Sequence, residues 1–406
     1  MNSAISAVII LNLMEWYDYS VFVYFGKKIA EEFFPVLSVS TSAIALTTVL
    51  ISFVVRPMGG LLISWLADTI STRLALKLSV ICMTLPTFLV GLLPSYKTIG
   101  MASAILLILL RILQGLGAGA QYSNSLVVVS DLSSTYRGLK VSLNFVSATI
   151  GFIAVTLLCF IIHHIIPTAI WNIWGWRILF WATSINIIII PLLLLNYLKS
   201  INHGAQKPDV NVFIYAKKVW QTILKGIILA GTGGAIYFTV FVALYQYQQH
   251  DLNYFSTSQG MLINTGNLIV LCLMTPLFAY FSDLFGRKPF LLLSTLLFML
   301  CSLPIMYMMH TSAKGFILAN LLFSLLSAIY IGPISVVYTE LFKKYRYILT
   351  TLIYNIGTGF IGAATLSIIS ILTLHLHHIP SWRVLGVYLT IFGLIGSITL
   401  FLSSPT

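Results

Sequence analysis

The chain has 406 residues, 59% of them apolar and only 8% charged, with a mean hydropathy of +0.98. A soluble chain of this length has no core large enough to hide so much apolar side chain, so lipid must be the solvent for much of the surface. The net charge of +12 does not indicate a nucleic-acid partner, because the basic residues stand in short stretches between apolar runs. Cys82, Cys159, Cys272 and Cys301 all fall inside apolar runs with no CxxC spacing, and indicate neither a disulfide framework nor a zinc site.

Twelve apolar stretches follow one another, each near the roughly 20 residues needed to cross the hydrocarbon as a helix. They lie near 6–26, 42–66, 78–95, 103–127, 139–163, 177–198, 222–248, 259–281, 290–310, 314–339, 347–373 and 383–403. The expected fold class is therefore an all-α membrane protein with twelve transmembrane helices. The first stretch is too long for the apolar region of a signal peptide and has no basic residue before it, so it is expected to stay in place as a span.

The first span carries Glu15 and Asp18, three residues apart and so on one helix face. An ionised carboxylate at mid-bilayer costs about 2.5 kcal/mol or more, so this pair must face a polar cavity, meet cations or be protonated. Two cations lie within later spans, Arg56 in the second and Arg111 in the fourth. Counting helical rise from the span ends puts Glu15 level with Arg56, and Asp18 level with Arg111. Two readings follow. In one, Asp18 or Glu15 takes up a proton and releases an arginine to a substrate carboxylate; in the other, permanent ion pairs brace the helices. Arg56 reads as the brace and Arg111 as the substrate anchor, since a buried guanidinium offers a carboxylate two parallel hydrogen bonds.

Further along, Asp68 and Arg73 flank the turn after the second span, and Asp131 precedes Arg137 by six residues. The stretch 199–221, with Asn202, Gly204 and Pro208, is the expected linker, dividing the chain into bundles 1–198 and 222–406. The seventh span spaces Tyr237, Phe241, Tyr245 and Gln248 on one helical face. Tyr19, Gln121, Tyr237 and Tyr245 are the expected substrate contacts, aromatic faces being suited to an ammonium group. Asp283 with Arg287, and Glu340 six residues before Arg346, complete the charged landmarks of the second half. The HLHH run at 375–378 has no carboxylate or cysteine beside it, so a loop or interfacial role is expected and no metal site.

Three landmarks recur at nearly one offset. Asp68 is echoed by Asp283, Asp131 by Glu340 and Trp176 by Trp382, at separations of 215, 209 and 206 residues. Three echoes in the same order imply two duplicated six-helix halves with a substrate path between them. The repeated acidic and basic pairs read as gates, Asp68 and Asp283 capping helix starts while Asp131–Arg137 and Glu340–Arg346 latch the halves. Fourteen basic residues fall in one set of loops and six in the other, which assigns the richer set and both termini to the cytoplasm.

Several stretches carry a family resemblance. MEWYDYSVFVYFG at Met14–Gly26, RPMGG at Arg56–Gly60, RILQGLGAG at Arg111–Gly119, WGWR at Trp174–Arg177, SDLFGRKP at Ser282–Pro289 and the Glu340–Gly357 stretch resemble the metabolite:proton symporter family of the major facilitator superfamily. That resemblance implies the major facilitator fold, two pseudo-symmetric six-helix bundles, and gives Arg111, Gln114 and Gly115 a place in a motif associated with proton transfer. The chain departs from the family pattern in several places, among them Leu284 at a usually basic position of the second loop motif. Ser64, Thr69, Ser71 and Thr72 stand where the first loop motif has glycines and basic residues, and Gly119-Ala120-Gln121 replaces the usual Gly-Gly-Glu.

The expected function is secondary active transport, proton-coupled uptake of a small organic solute by alternating access. A zwitterion such as an amino acid or betaine, or an organic acid, fits best, because the four buried charges cancel and one added proton leaves a single positive charge. The proton is the expected coupling ion, with no other cofactor. A monomer in the bacterial inner membrane is expected, with the lipid bilayer, the solute and the proton as partners and no nucleic acid. Export of a metabolite, siderophore or drug is the alternative within the class, and a non-transporting membrane sensor the alternative outside it. No HExxH, GxSxG or phosphate-binding loop supports an enzyme.

Overall fold

In a computed structural model of the chain the described residues are 3–35, 41–167, 174–182, 211–252, 254–376 and 378–402, and every regular element among them is helical. The first half supplies α1 (Ser3–Phe33), α2 (Thr41–Thr69), α3 (Thr72–Leu92), α4 (Met101–Asp131), α5 (Arg137–Ile165) and α6 (174–182). The second half supplies α7 (Trp220–Phe238, continued by turns to Leu252), α8 (Thr257–Phe285), α9 (Arg287–Thr311) and α10 (Ala313–Glu340). It ends with α11 (Arg346–Tyr354, continued through Asn355–Gly362 and Ala363–His375) and α12 (Ser381–Phe401). Nine helices among the described residues are long and apolar enough to cross a membrane. Of the expected sixth span, 183–198 lies outside the described residues, as do 199–210 of the expected linker and His377.

The helices outrun the apolar stretches that announce them. The third was expected from residue 78 but begins at Thr72, because Ser71 accepts the backbone N–H of Leu74 and so caps a start lying beyond the apolar run. Within the expected linker, Val212–Lys218 form a short helix capped by Asn211. Pro57, Pro86, Pro276, Pro304 and Pro333 sit inside helices, as neighbouring spans and side chains allow in a membrane. In α7 and α11 the hydrogen bonding widens to π-helical turns, at Thr239–Ala243, Gln248–Leu252 and Asn355–Gly362. Such wide turns mark positions where a helix is not at its most stable register.

The chain forms two compact units. Unit 1 holds Met1–Leu132, Ser147–Val210 and Lys344–Leu352; unit 2 holds Ser133–Val146, Asn211–Lys343 and Ile353–Thr406. Each unit thus takes the first turns of one helix, α11 or α5, from the opposite half of the sequence.

Small residues set the closest helix contacts. In unit 1, α2 crosses α4 so tightly that a Cβ on Gly119 would meet the Arg56 carbonyl oxygen at 1.9 Å. In unit 2, Gly234 of α7 faces Gly362 of α11, where an added Cβ would come to 2.8 Å of backbone. Close backbone approach of this kind is how helices associate when lipid supplies no hydrophobic drive between them. At one end of unit 1, Phe22, Phe33, Trp176 and Phe180 pack together while Arg177 pairs with Glu32 at 2.7 Å.

The two halves repeat down to their backbone angles. Tyr136 and Tyr345, 209 residues apart, are the non-glycine positions with positive φ among the described residues, at 48° and 54°. An L-residue in this region costs roughly 1–2 kcal/mol, so an outlier kept in both copies has to be held by its surroundings.

Candidate functional site

The buried charges gather in unit 1, around α1, α2 and α4. Glu15, Asp18 and Arg111 are 3%, 7% and 4% exposed. The Glu15 carboxylate meets Arg56 Nη2 at 3.4 Å, as the helical depths permit. The Arg56 guanidinium also lies about 6 Å from the rings of Trp16 and Tyr19. Glu15 Oε2 is buried with no hydrogen-bond partner, an unusual state for a carboxylate oxygen.

Asp18 and Arg111 border the same cavity. Between them runs a chain of neutral side chains. Arg111 Nη1 donates to Gln114 Oε1 at 3.0 Å, Gln114 Nε2 donates to Thr87 Oγ1 at 2.7 Å, and Thr87 Oγ1 donates to Asp18 Oδ2 at 2.9 Å. The guanidinium also lies 3.7 Å from the centre of the Phe22 ring, a desolvated cation–π contact. Ser52 Oγ donates to the Arg111 carbonyl at 2.9 Å and ties α2 to α4 at this depth.

The cavity measures about 30 Å³ and is bordered by Glu15, Asp18, Tyr19, Arg56, Arg111 and Gln114. A second, of about 10 Å³, touches Glu15, Asp18 and Gln121. Such volumes admit a water or two and no organic solute. In this conformation unit 1 holds its charges beside these two small cavities. Gln121, at the position of the family's glutamate, is 1% exposed and accepts the Ser79 hydroxyl at 2.8 Å. Tyr19 packs edge-on against Trp16 and Phe152.

Tyr237 and Tyr245 belong to unit 2. Tyr237 joins an aromatic cluster with Phe145 and Phe241, at ring separations of 6.1 and 5.2 Å, and Tyr245 is half-buried in α7. Of the expected substrate contacts, Tyr19 and Arg111 border one cavity and Gln121 the smaller one, both cavities touching Glu15 and Asp18. His375 is exposed and its Nδ1 lies 2.9 Å from the Ile371 carbonyl oxygen.

Each unit carries one of two matching arrays. In unit 1, Asp68 at the end of α2 accepts the backbone N–H groups of Tyr347 at 3.3 Å and Ile348 at 2.8 Å, in the first turn of α11. In unit 2, Asp283 at the end of α8 accepts those of Gly138 at 2.8 Å and Leu139 at 2.9 Å, in the first turn of α5. Both carboxylates cap helix starts, as expected, but each caps a helix of the other sequence half. The left-handed Tyr136 and Tyr345 immediately precede these turns. Arg73 lies half-buried in the first turn of α3.

The expected latch pairs are corrected. Asp131 pairs with Arg346, and Glu340 with Arg137 at 3.7 Å and Arg287 at 3.6 Å. Arg287 also holds Asp283 at 2.5 Å. The six-residue spacing spans a corner between two helices rather than one helix face, so it does not put its own two side chains together. The partner comes instead from the matching corner of the other half.

Sequence reasoning missed a neutral cluster beside this array. Ser64 Oγ donates to Asn124 Oδ1 at 2.7 Å, and the Thr351 hydroxyl lies 2.7 Å from Ser64 and 2.6 Å from Ser123. All four side chains are buried. The signal was present in Ser64, a hydroxyl where the family has glycine. Thr87 was missed as well, and nothing in its sequence neighbourhood marks it.

Comparison with known proteins agrees with this architecture. The family described as "Sugar (and other) transporter" matches residues 4–200, and that described as "Major Facilitator Superfamily" matches 226–406. The chain is 30% identical to the proline/betaine transporter of Escherichia coli (strain K12) over 339 residues, covering 79% of this chain and 67% of that one. It is 28% identical to the citrate-proton symporter of Salmonella typhi, covering 87% of this chain and 83% of that one. Among solved structures, a proton:xylose symporter bound to 6-bromo-6-deoxy-D-glucose superposes with a TM-score of 0.73 at 17% identity, covering 98% of this chain and 94% of that one. A human organic anion transporter superposes with a TM-score of 0.66 at 13% identity, covering 98% of each chain.

Proposed function

Because the chain belongs to the major facilitator superfamily and has its twelve-helix fold, a transporter and not an enzyme, we propose that it carries a small zwitterion or monoanion inward together with a proton. The observation that supports this most directly is the sharing of one cavity by two carboxylates and two arginines, all from unit 1. With both carboxylates ionised the four charges cancel. One proton leaves a single positive charge, which an incoming carboxylate neutralises. Relatives named for proline/betaine and for citrate with protons support a carboxylate-bearing solute.

In the proposed cycle Asp18 takes the proton and Arg111 receives the solute carboxylate in a bidentate pair. Proton and solute then favour each other's binding, which is the linkage that symport needs. Glu15 stays with Arg56 and holds α1 against α2, with Glu15 the second candidate for the proton. Gln121 and Tyr19 border the solute, and Tyr237 and Tyr245 meet it when the alternating conformations bring both bundles, 1–198 and 222–406, to it. The crossed arrays of Asp68, Asp131, Asp283 and Glu340 close the cytoplasmic side, and both termini face the cytoplasm of a bacterial inner membrane. The chain works as a monomer.

The test is uptake by purified protein in proteoliposomes, with and without an imposed proton gradient. The panel holds proline, glycine betaine, 2-oxoglutarate, citrate and shikimate. Accumulation of a zwitterion or monocarboxylate that collapses with the gradient is expected, as is its loss in Asp18→Asn. Uptake indifferent to the gradient overturns the reading.

A further inference from the structure

We infer that Thr87 is a positioning residue whose single hydroxyl proton reports the protonation state of Asp18 to Arg111 through Gln114. The inference rests on the proposed role of Asp18 as the proton site and deepens it.

The direction of every hydrogen bond in the chain is fixed by chemistry. An arginine only donates, so Gln114 must present Oε1 to Arg111 and Nε2 to Thr87. Thr87 Oγ1 must therefore accept from Gln114 and has one proton left to give. Two acceptors stand within reach of that proton, Asp18 Oδ2 at 2.9 Å and the Met83 carbonyl oxygen at 2.7 Å. Thr87 is fully buried, so no bulk water competes for it.

With Asp18 ionised, the proton points at the carboxylate in a charge-assisted bond. A hydroxyl that donates to an anion becomes a better acceptor, because hydrogen bonds in a chain polarise one another. Gln114 is then held firmly by Thr87, and its Oε1 is fixed on Arg111. When Asp18 gains a proton, its own O–H becomes the donor. The Thr87 oxygen then accepts from both Asp18 and Gln114, and its proton turns to the Met83 carbonyl. One oxygen now serves two neutral-state donors, and the hold on Gln114 weakens. Arg111 is left freer for the solute carboxylate. No heavy atom has to move for this to happen, and α1, α3 and α4 are linked by it.

Proton-triggered infrared difference spectroscopy on the purified protein tests this without any solute. In the wild type a protonated-carboxyl band, absent in Asp18→Asn, is expected together with an amide carbonyl band absent in Gln114→Leu. In Thr87→Val, which keeps the side-chain volume, the carboxyl band should remain while the amide band is lost; Thr87→Ser should restore it. In proteoliposomes given a proton gradient and radiolabelled proline, Thr87→Val should lower the accumulation ratio about 10-fold, an ordinary size for coupling between sites, with solute exchange kept within about 2-fold. Survival of the amide band in Thr87→Val overturns the inference, and so does failure of Thr87→Ser to restore it. If Asp18→Asn removes no carboxyl band, the proton-site reading itself fails, which the other outcomes leave standing.

Discussion

Asp131 takes its cation from Arg346, a residue of the other sequence half, although Arg137 lies only six residues away. The mirror pair, Glu340 with Arg137, repeats the exchange. A duplicated sequence places the same acid and base at each corner, and each acid is answered by the other copy's base. Such a pair ties elements from the two sequence halves together within one unit, where a local pair would only stiffen its own loop. In the proposed cycle of alternating access, contacts of this kind part when the basic side opens.

The exchange predicts an asymmetric rescue. Asp131→Arg should weaken closure of the basic side, read as faster labelling of an engineered cysteine at that end. Adding Arg346→Asp should restore slow labelling, and adding Arg137→Asp should not. The side chains are about a third exposed, so the effect expected is a few-fold, in line with about 0.2–1 kcal/mol for accessible pairs. Equal rescue by both second changes would contradict the crossed pairing.

Asp68 and Asp283 should matter more than the latch arginines. Each accepts two backbone N–H groups at the start of a helix from the other half. Loss of a capping carboxylate costs about 1–2 kcal/mol, and here it is lost only in the closed arrangement. Asp68→Ala and Asp283→Ala are each expected to raise cysteine labelling at the basic side about 10-fold while melting temperature changes little. Matching effects from the two variants would reflect the repeat; a silent Asp283→Ala would break it.

What was legible follows from what sequence can encode. Helical rise fixes depth, so Glu15 could be set level with Arg56 from counting alone, and the two do pair. The link between Asp18 and Arg111 was hidden because Thr87 and Gln114 are uncharged and leave no periodic trace. The crossed latches were hidden because both copies carry the same residues, and spacing cannot tell an internal partner from its twin. Tyr136 and Tyr345 were unreadable for another reason: tyrosine has no preference for positive φ, and the surrounding contacts impose it.

The neutral cluster predicts its own phenotype. Thr351 is joined to Ser64 and Ser123, with Asn124 alongside, in a setting without solvent. Thr351→Val would remove both bridges, while Ser64 keeps its bond to Asn124 and Ser123 its bond to the Ala120 carbonyl oxygen. A net hydrogen bond is worth about 0.5–1.5 kcal/mol, so the open arrangement should gain by a few-fold. Replacing Ser64 by alanine as well should add to that gain, because Asn124 Oδ1 then loses the Ser64 donor. Labelling rates of the same engineered cysteine measure both.

The Glu15–Arg56 pair separates a brace from a proton site. Removing one partner of a buried ion pair leaves an uncompensated charge and costs about 3–5 kcal/mol, whereas removing both is far milder. Glu15→Gln and Arg56→Gln should each lower the melting temperature of the detergent-purified protein, and the double variant should recover most of the loss. Proton-driven accumulation should return with stability in that double variant if the pair only braces α1 against α2. A double variant that is stable yet indifferent to the gradient would instead move the proton site from Asp18 to Glu15, whose second carboxylate oxygen already lies buried without a partner.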